Sequence, residues 1–125
     1  LSITRFYIHP NTWKYLAIMS QLVKGERIMA FTFIARMKIH PEKRDTFVEA
    51  CQELEKATLE NEEGCLYYKF YKLRDENSYA VIESFENEEL DEAHQQTQHF
   101  KDIVPKLMEC LDGTYVREFL DPLDS

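Results

Sequence analysis

The chain has 125 residues, of which 15 are Lys or Arg and 23 are Asp or Glu, so its formal net charge is −8. This length favours one domain with a real core, and 44% hydrophobic residues with 3 Gly and 4 Pro exclude a disordered or fibrous chain. The acidic balance argues against nucleic acid or an anionic membrane surface as a partner, because either would need a basic patch.

The cysteines and the apolar runs indicate the cellular compartment of the protein and whether it spans a membrane. Cys51, Cys65 and Cys110 are widely spaced and form neither a C-x-x-C pair nor a zinc-like Cys/His cluster. We interpret them as reduced thiols of a cytoplasmic protein. The longest apolar runs are far shorter than the roughly 20 residues that cross a bilayer, so the sequence predicts no membrane span.

The first 29 residues differ from the rest in charge. They contain four basic residues and one acid, a net of +3, which leaves 11 basic and 22 acidic residues in the remainder. The shift predicts an N-terminal extension over residues 1–29, with a helix after Pro10 that carries Trp13, and a domain over residues 30–125. An alternative is that the extension is a translated leader or an over-extended start, because codons for Lys24 to Met29 can include a ribosome-binding sequence. The intact mass of the protein made from its native gene distinguishes the two.

The domain then shows four strand patterns and two helical regions in chain order. Alternation from Phe31 to Ile39 predicts a first strand, and a stripe at Phe47, Cys51, Leu54 and Thr58 predicts a helix with Gly64 as its C-cap. Residues 65–73 and 79–85 read as a hairpin. Asn87 caps a short helix, and after a break near Thr97 a second helical stretch follows, in which Pro105 produces either a bend or the first turn. Residues 114–120 form the last strand, with Tyr115, Arg117 and Phe119 alternating against their neighbours.

This order, β-α-β-β-α-β, predicts an α+β, ferredoxin-like protomer with both helical regions on one face of a single sheet. The other face carries aromatic residues and needs a cover of its own. A second copy of the chain is the simplest cover, so we expect a two-fold homodimer with its sheets packed face to face.

Few side chains stand out as candidates for chemistry. The sequence has no dinucleotide, P-loop, nucleophile-elbow or zincin motif. Glu83 shares a strand face with Tyr79, Val81 and Phe85, so it is either a buried carboxyl with a raised pKa or an edge glutamate in solvent. His94 and His99 flank a short connection that turns both rings toward one pocket mouth, or they cap helices and fill the core. A metal site is weaker, since no third ligand is evident.

Three segments together resemble the antibiotic biosynthesis monooxygenase (ABM) domain. They are Glu63-Gly64-Cys65-Leu66-Tyr67-Tyr68, Val81-Ile82-Glu83-Ser84-Phe85, and Glu92-Ala93-His94 through Gln98-His99-Phe100. The likeness extends from Phe31 to about Leu120 and is greatest to quinol monooxygenase-like proteins and to the autoinducer-2 degrading, isomerase-like branch. It departs from the family at Phe85, where Trp is frequent, and the sole tryptophan is Trp13, so anthrone oxidation is not supported.

The resemblance implies a dimeric α+β barrel and a reaction of molecular oxygen with a quinol or phenolic small molecule, without a metal or other cofactor. It implies His94 or His99 as the base, and Glu83 as its orienter or as a hydrogen-bond partner of the substrate. The expected pocket walls are Tyr68, Phe85 and Phe100. One alternative is isomerisation of a phosphorylated sugar, for which Arg36 or Lys69 would bind the phosphate. Another is a non-catalytic dimer that binds a small molecule.

Overall fold

The computed structural model describes residues 30–124 together with Thr12, Lys14 and Leu16. In residues 30–124 the elements are β1 Phe31–Lys38, α1 Arg44–Asn61, β2 Cys65–Lys72, β3 Ser78–Phe85, α2 Glu88–His94, α3 Gln98–Met108 and β4 Val116–Leu120, with a short 3-10 helix at Pro41–Lys43. The strands form one antiparallel sheet in the order β2-β3-β1-β4. The predicted ferredoxin-like fold is therefore confirmed. The N-terminal extension lies outside the described residues apart from the three named above.

The core lies between one face of the sheet and the helices. On the central strands, Phe33 is opposite Glu83 and Ala35 is opposite Val81, and all four side chains are buried. From α1 and α3 the residues Phe47, Leu54, Ile103 and Leu107 pack onto this face. The strand alternation thus places Glu83 on the helix-covered face.

The helix boundaries follow their capping residues. The Asn87 side chain accepts a hydrogen bond from the Leu90 N–H at 3.0 Å, and the Thr97 hydroxyl accepts one from the Phe100 N–H at 3.2 Å. The predicted break near Thr97 is confirmed, and it separates α2 from α3. Pro105 lies inside α3, so the alternative that it marks the first turn is wrong.

Gly64 has a different role from the predicted C-cap. Helix α1 ends at Asn61, Glu62 turns to extended backbone, and Gly113 is the only described glycine with a positive φ. A Cβ on Gly64 would stand 2.3 Å from the Leu90 Cδ1 atom. A side chain at this position would therefore displace the Leu90 side chain of α2, so glycine suits the close approach of α2 to the start of β2 and not a left-handed backbone.

The opposite face of the sheet carries no helix among the described residues. It holds a mixture of apolar and charged side chains and is aromatic only along β2, where the hydroxyls of Tyr67 and Tyr71 are hydrogen-bonded to each other. Arg36 on β1 forms an ion pair with Glu118 on β4 here. None of the described helices has the length and apolar character required to cross a bilayer.

Candidate active site

A cavity of about 600 Å³, open to solvent, lies between the sheet and the helices. Most of its wall is apolar, and the residues that form it include Phe33, Met37, Leu54, Tyr68, Phe100 and Leu107. Its polar lining comes chiefly from Glu83, Asp91, His94, Gln95 and Arg117. An apolar hollow with a few convergent polar groups is the usual form of a small-molecule site.

Glu83 is buried in this cavity, which resolves the alternative left open by the sequence. The residue is 8% exposed. Burial, with a smaller contribution from the charge of Asp91, raises the pKa of Glu83 to about 8, while Arg117 acts in the opposite direction. At neutral pH the carboxyl is therefore mostly protonated and can donate a hydrogen bond.

His94 has one nitrogen held by a carboxylate and the other without a partner. Its Nδ1 atom is 2.7 Å from the Oε2 atom of Glu62. Its ring lies against Tyr68, Phe85 and Phe100, with centroid separations of 5.3, 5.2 and 5.1 Å. The Nε2 atom is buried, has no hydrogen-bond partner among the described residues, and is 3.8 Å from the Glu83 carboxyl.

Glu62 links the two histidines. The Nε2 atom of His99 is 2.6 Å from the same Glu62 oxygen that contacts His94. Burial acts to raise the pKa of Glu62, but hydrogen bonds from both imidazoles outweigh it and lower the pKa. Because an ionised carboxylate only accepts, Nδ1 of His94 donates to Glu62, and its Nε2 atom faces Glu83. His99 does not line the cavity. It contributes to the site through its hydrogen bond to Glu62.

The same three residues form the one group among the described residues with metal-ligand spacing. One ligand atom from each of Glu62, His94 and His99 lies within 4.8 Å of the others. Ligands of one ion, bound at about 2.0–2.2 Å, stand roughly 3 Å or more apart. The observed N–O distances of 2.7 and 2.6 Å are hydrogen-bond distances, so an ion would require the rings to move apart.

Arg117 and Asp91 form a second polar group in the cavity wall. The Arg117 guanidinium is 2.7 Å from one Asp91 oxygen and stacks 3.9 Å from the centroid of Phe33. The other Asp91 oxygen accepts a hydrogen bond from the Gln95 amide at 3.3 Å. The Arg117 side chain is the part of this group that reaches solvent. The charges of Asp91 and Arg117 both lie close enough to Glu83 to influence its pKa.

The structure brings most of the predicted site residues together and corrects others. Glu83, His94, Tyr68 and Phe100 line the cavity. Phe85 is not in the cavity wall and packs against the His94 ring instead. The expectation that Arg36 binds substrate here is wrong, because its side chain lies on the opposite face of the sheet, paired with Glu118. Lys69 is also absent from the lining.

Sequence reasoning missed Glu62, Asp91 and Arg117. For Arg117 the signal was present, since it shares a strand face with Tyr115 and Phe119, but the register opposite Ala35 was needed to identify that face as the helix-covered one. Glu62 lies just beyond the end of α1, where neither helical nor strand periodicity applies. Only the chemical expectation that two nearby histidines share an acid would have pointed to it.

Comparison with known proteins agrees with this geometry. The family model of antibiotic biosynthesis monooxygenase matches residues 30–106. The chain belongs to the antibiotic biosynthesis monooxygenase family. "Putative monooxygenase YcnE" of Bacillus subtilis (strain 168) is 32% identical over 79 residues, which are 63% of this chain and 83% of that protein.

Solved structures show the same fold of this family. A conserved protein from Methanosarcina mazei Go1 is 32% identical, with a TM-score of 0.70 over 75% of this chain and 93% of that one. A "putative antibiotic biosynthesis monooxygenase" from Caulobacter crescentus CB15 is 26% identical, with a TM-score of 0.72 over 76% and 91%. The family match includes Glu62, Glu83, His94 and His99 but ends before Arg117.

Proposed function

We propose that this family member is a monooxygenase that oxidises an electron-rich phenol or quinol without a bound cofactor. The observation that carries the proposal is the buried His94 imidazole, whose Nε2 atom has no partner among the described residues and faces Glu83 beside an apolar cavity. Their separation of 3.8 Å is too long for a direct hydrogen bond. A substrate hydroxyl oxygen about 2.8 Å from each atom would bridge them from the cavity side, once a small movement of the cavity wall opens the buried Nε2 atom to the ligand.

In the proposed reaction His94 is the base. Its Nε2 lone pair accepts the proton of the substrate hydroxyl, and the Glu62 carboxylate stabilises the resulting imidazolium through Nδ1–H. Protonated Glu83 donates a hydrogen bond to the oxyanion that forms. His99 keeps Glu62 in place, so it is a positioning residue in this scheme.

The anion then reacts with molecular oxygen. It transfers one electron to dioxygen, and the radical pair combines so that a bond forms between a ring carbon and oxygen. His94 returns its proton to the peroxide anion, then takes the proton from the ring carbon that bears the hydroperoxide and passes it to the leaving hydroxide as the O–O bond breaks, so that water is released. A phenol with a hydrogen on that carbon thus gives a quinone and water, and the substrate itself supplies all four electrons. The apolar wall suits this step because it excludes water from the reactive anion.

Oxygen uptake with a panel of naphthols, hydroquinones and substituted phenols tests the proposal. We expect His94→Gln to lower kcat/KM by about 10²- to 10⁴-fold, the range for loss of a general base. The matched control is His40→Gln, because His40 lies ahead of the 3-10 helix and outside the cavity. An unchanged rate in His94→Gln would refute the base assignment, and a rate abolished by chelators would refute the absence of a metal.

Two other functions are outcomes of the same panel. Isomerisation of a phosphorylated sugar would appear as sugar conversion without oxygen uptake. Its support is weaker, because most of the cavity wall is apolar, whereas a phosphorylated sugar carries several hydroxyls that need polar partners. A binding protein would show ligand-dependent stabilisation without turnover of any compound.

We also propose a homodimer formed through the face of the sheet that α1 and α3 do not cover. Its support is the exposure of apolar side chains at one edge of that face, where Val116 is 69% and Leu120 is 45% exposed. Sedimentation at micromolar concentration should give twice the mass of the chain, and a monomer would contradict the proposal. A cytoplasmic setting is supported by the three cysteines, which are buried and unpaired.

A further inference from the structure

We propose that Arg117 is the anion-binding residue of the cavity and that the substrate phenol carries a carboxylate on its ring. Arg117 lies on β4 opposite Ala35, with its side chain on the helix-covered face and in the cavity wall. The side chain is 28% exposed, so it stands where the cavity meets solvent. The inference rests on the proposed function only for the position of the ring hydroxyl.

The guanidinium is held in place before any ligand arrives. One face of it covers the Phe33 ring at 3.9 Å, and one nitrogen is 2.7 Å from Asp91, whose carboxylate is 4% exposed. A preorganised cation loses little side-chain entropy when it binds an anion. This arrangement is that of a binding group, since a solvated arginine would not need a buried carboxylate to hold it.

Asp91 occupies only part of the guanidinium fork. It contacts Arg117 through one oxygen and gives the other to Gln95, so the pair is not bidentate. Arginine has five N–H donors in a planar fork that matches a carboxylate. The remaining edge can therefore bind a second carboxylate, which would come from the ligand.

The two ends of the site lie on the same face of the sheet, on either side of Phe33. Phe33 is directly opposite Glu83 in the sheet, and the Arg117 guanidinium lies over Phe33. Neighbouring strands are about 4.8 Å apart. A ring with its hydroxyl between Glu83 and His94 thus places a substituent on its far side near Arg117.

Isothermal titration with 4-hydroxybenzoate and with its neutral counterpart 4-hydroxybenzamide tests the inference. For the wild type we expect the acid to bind about tenfold or more tightly than the amide, as one charge-assisted contact requires. In Arg117→Met this preference should disappear, while amide binding changes less than about twofold. In Arg117→Lys, which keeps the charge and loses the fork, the preference should fall about threefold. Arg44→Met, at an exposed arginine beside Asp45, should keep the wild-type preference.

Equal binding of the two compounds to the wild type, or binding of neither at millimolar concentration, would overturn the inference. So would an unchanged preference in Arg117→Met or, if that variant does not fold, in Arg117→Gln, because both substitutions remove the positive charge. The readout does not involve oxygen. Selective binding without oxygen uptake would therefore refute the monooxygenase proposal alone, and turnover with no preference for carboxylated phenols would refute the anion site alone.

Discussion

Two arginine–carboxylate pairs lie on opposite faces of the same sheet and show how little contact distance alone reveals. Arg117–Asp91 on the helix-covered face and Arg36–Glu118 on the other face measure 2.7 and 2.6 Å. The side chains of the first pair are 28% and 4% exposed, and both of the second are 53% exposed. Solvent screens the outer pair, which should contribute at most about 1 kcal/mol. Desolvation, not distance, makes the inner pair part of a site.

The two glutamates that flank β1 differ in the same way. Glu83 is opposite Phe33 and Glu118 is opposite Ile34, one position further along β1 and on the other face. Glu83 is enclosed, and burial raises its pKa to about 8. Glu118 is half exposed and paired with Arg36. One step along a strand thus separates a proton donor of a cavity from an ordinary surface acid.

Among substitutions of buried and exposed acidic residues, the largest effect is expected from Glu62→Gln. An amide in place of the carboxylate can no longer stabilise imidazolium at His94 or fix its proton on Nδ1, which should lower kcat for oxygen uptake by about 10²- to 10³-fold. Glu63→Gln is the matched control because Glu63 is exposed. If both variants keep the wild-type kcat, Glu62 does not orient the base.

A second, smaller effect should sharpen the comparison of the glutamates. Between the ordinary pKa of 4.5 and the folded value of about 8, the folded chain keeps a proton on Glu83 that the unfolded chain has lost. The free energy of unfolding therefore falls as pH rises through this window, by up to about 1.4 kcal/mol per pH unit, and levels off above it. In Glu83→Gln this pH-dependent fall in the free energy of unfolding should be absent, because glutamine does not titrate.

Urea unfolding at several pH values measures the difference between Glu83→Gln and the wild type. From pH 5.5 to 8 the variant should gain about 3 kcal/mol relative to the wild type. The charged and titratable groups around Glu83 are common to both proteins and largely cancel: they are Glu62, Tyr68, Asp91, His94 and Arg117. A flat difference for Glu83→Gln would mean that Glu83 titrates normally.

The sequence predicts the scaffold of the site better than the site itself. Alternation along β3 put Glu83 with Tyr79, Val81 and Phe85, and this face is the one that the helices cover. The same alternation along β1 set Arg36 apart from Phe33, Ala35 and Met37. Its assignment to the pocket came from the chemical need of a phosphate for a cation, and the strand geometry excludes it.

What periodicity cannot predict is contact between residues far apart in the chain. Glu62 meets His94 and His99 across separations of 32 and 37 residues, and Arg117 meets Asp91 across 26. These pairs depend on how α2 packs on the sheet and on the pairing of β4 with β1. A local pattern encodes which face a residue occupies, but not which partner it finds there.

The smallest expected effect returns to the two ion pairs. Asp91→Asn keeps the shape of the carboxylate but removes its charge from a buried position beside Arg117, and should lower the free energy of unfolding by about 1.5 kcal/mol. Glu118→Gln should lower it by less than about 0.5 kcal/mol, because water already screens that pair. Both should be measured by urea unfolding at pH 5.5, where Glu83 is protonated with or without Asp91 beside it. Equal losses would mean that burial does not distinguish the two faces, and that the Arg117–Asp91 pair is a surface contact like the other.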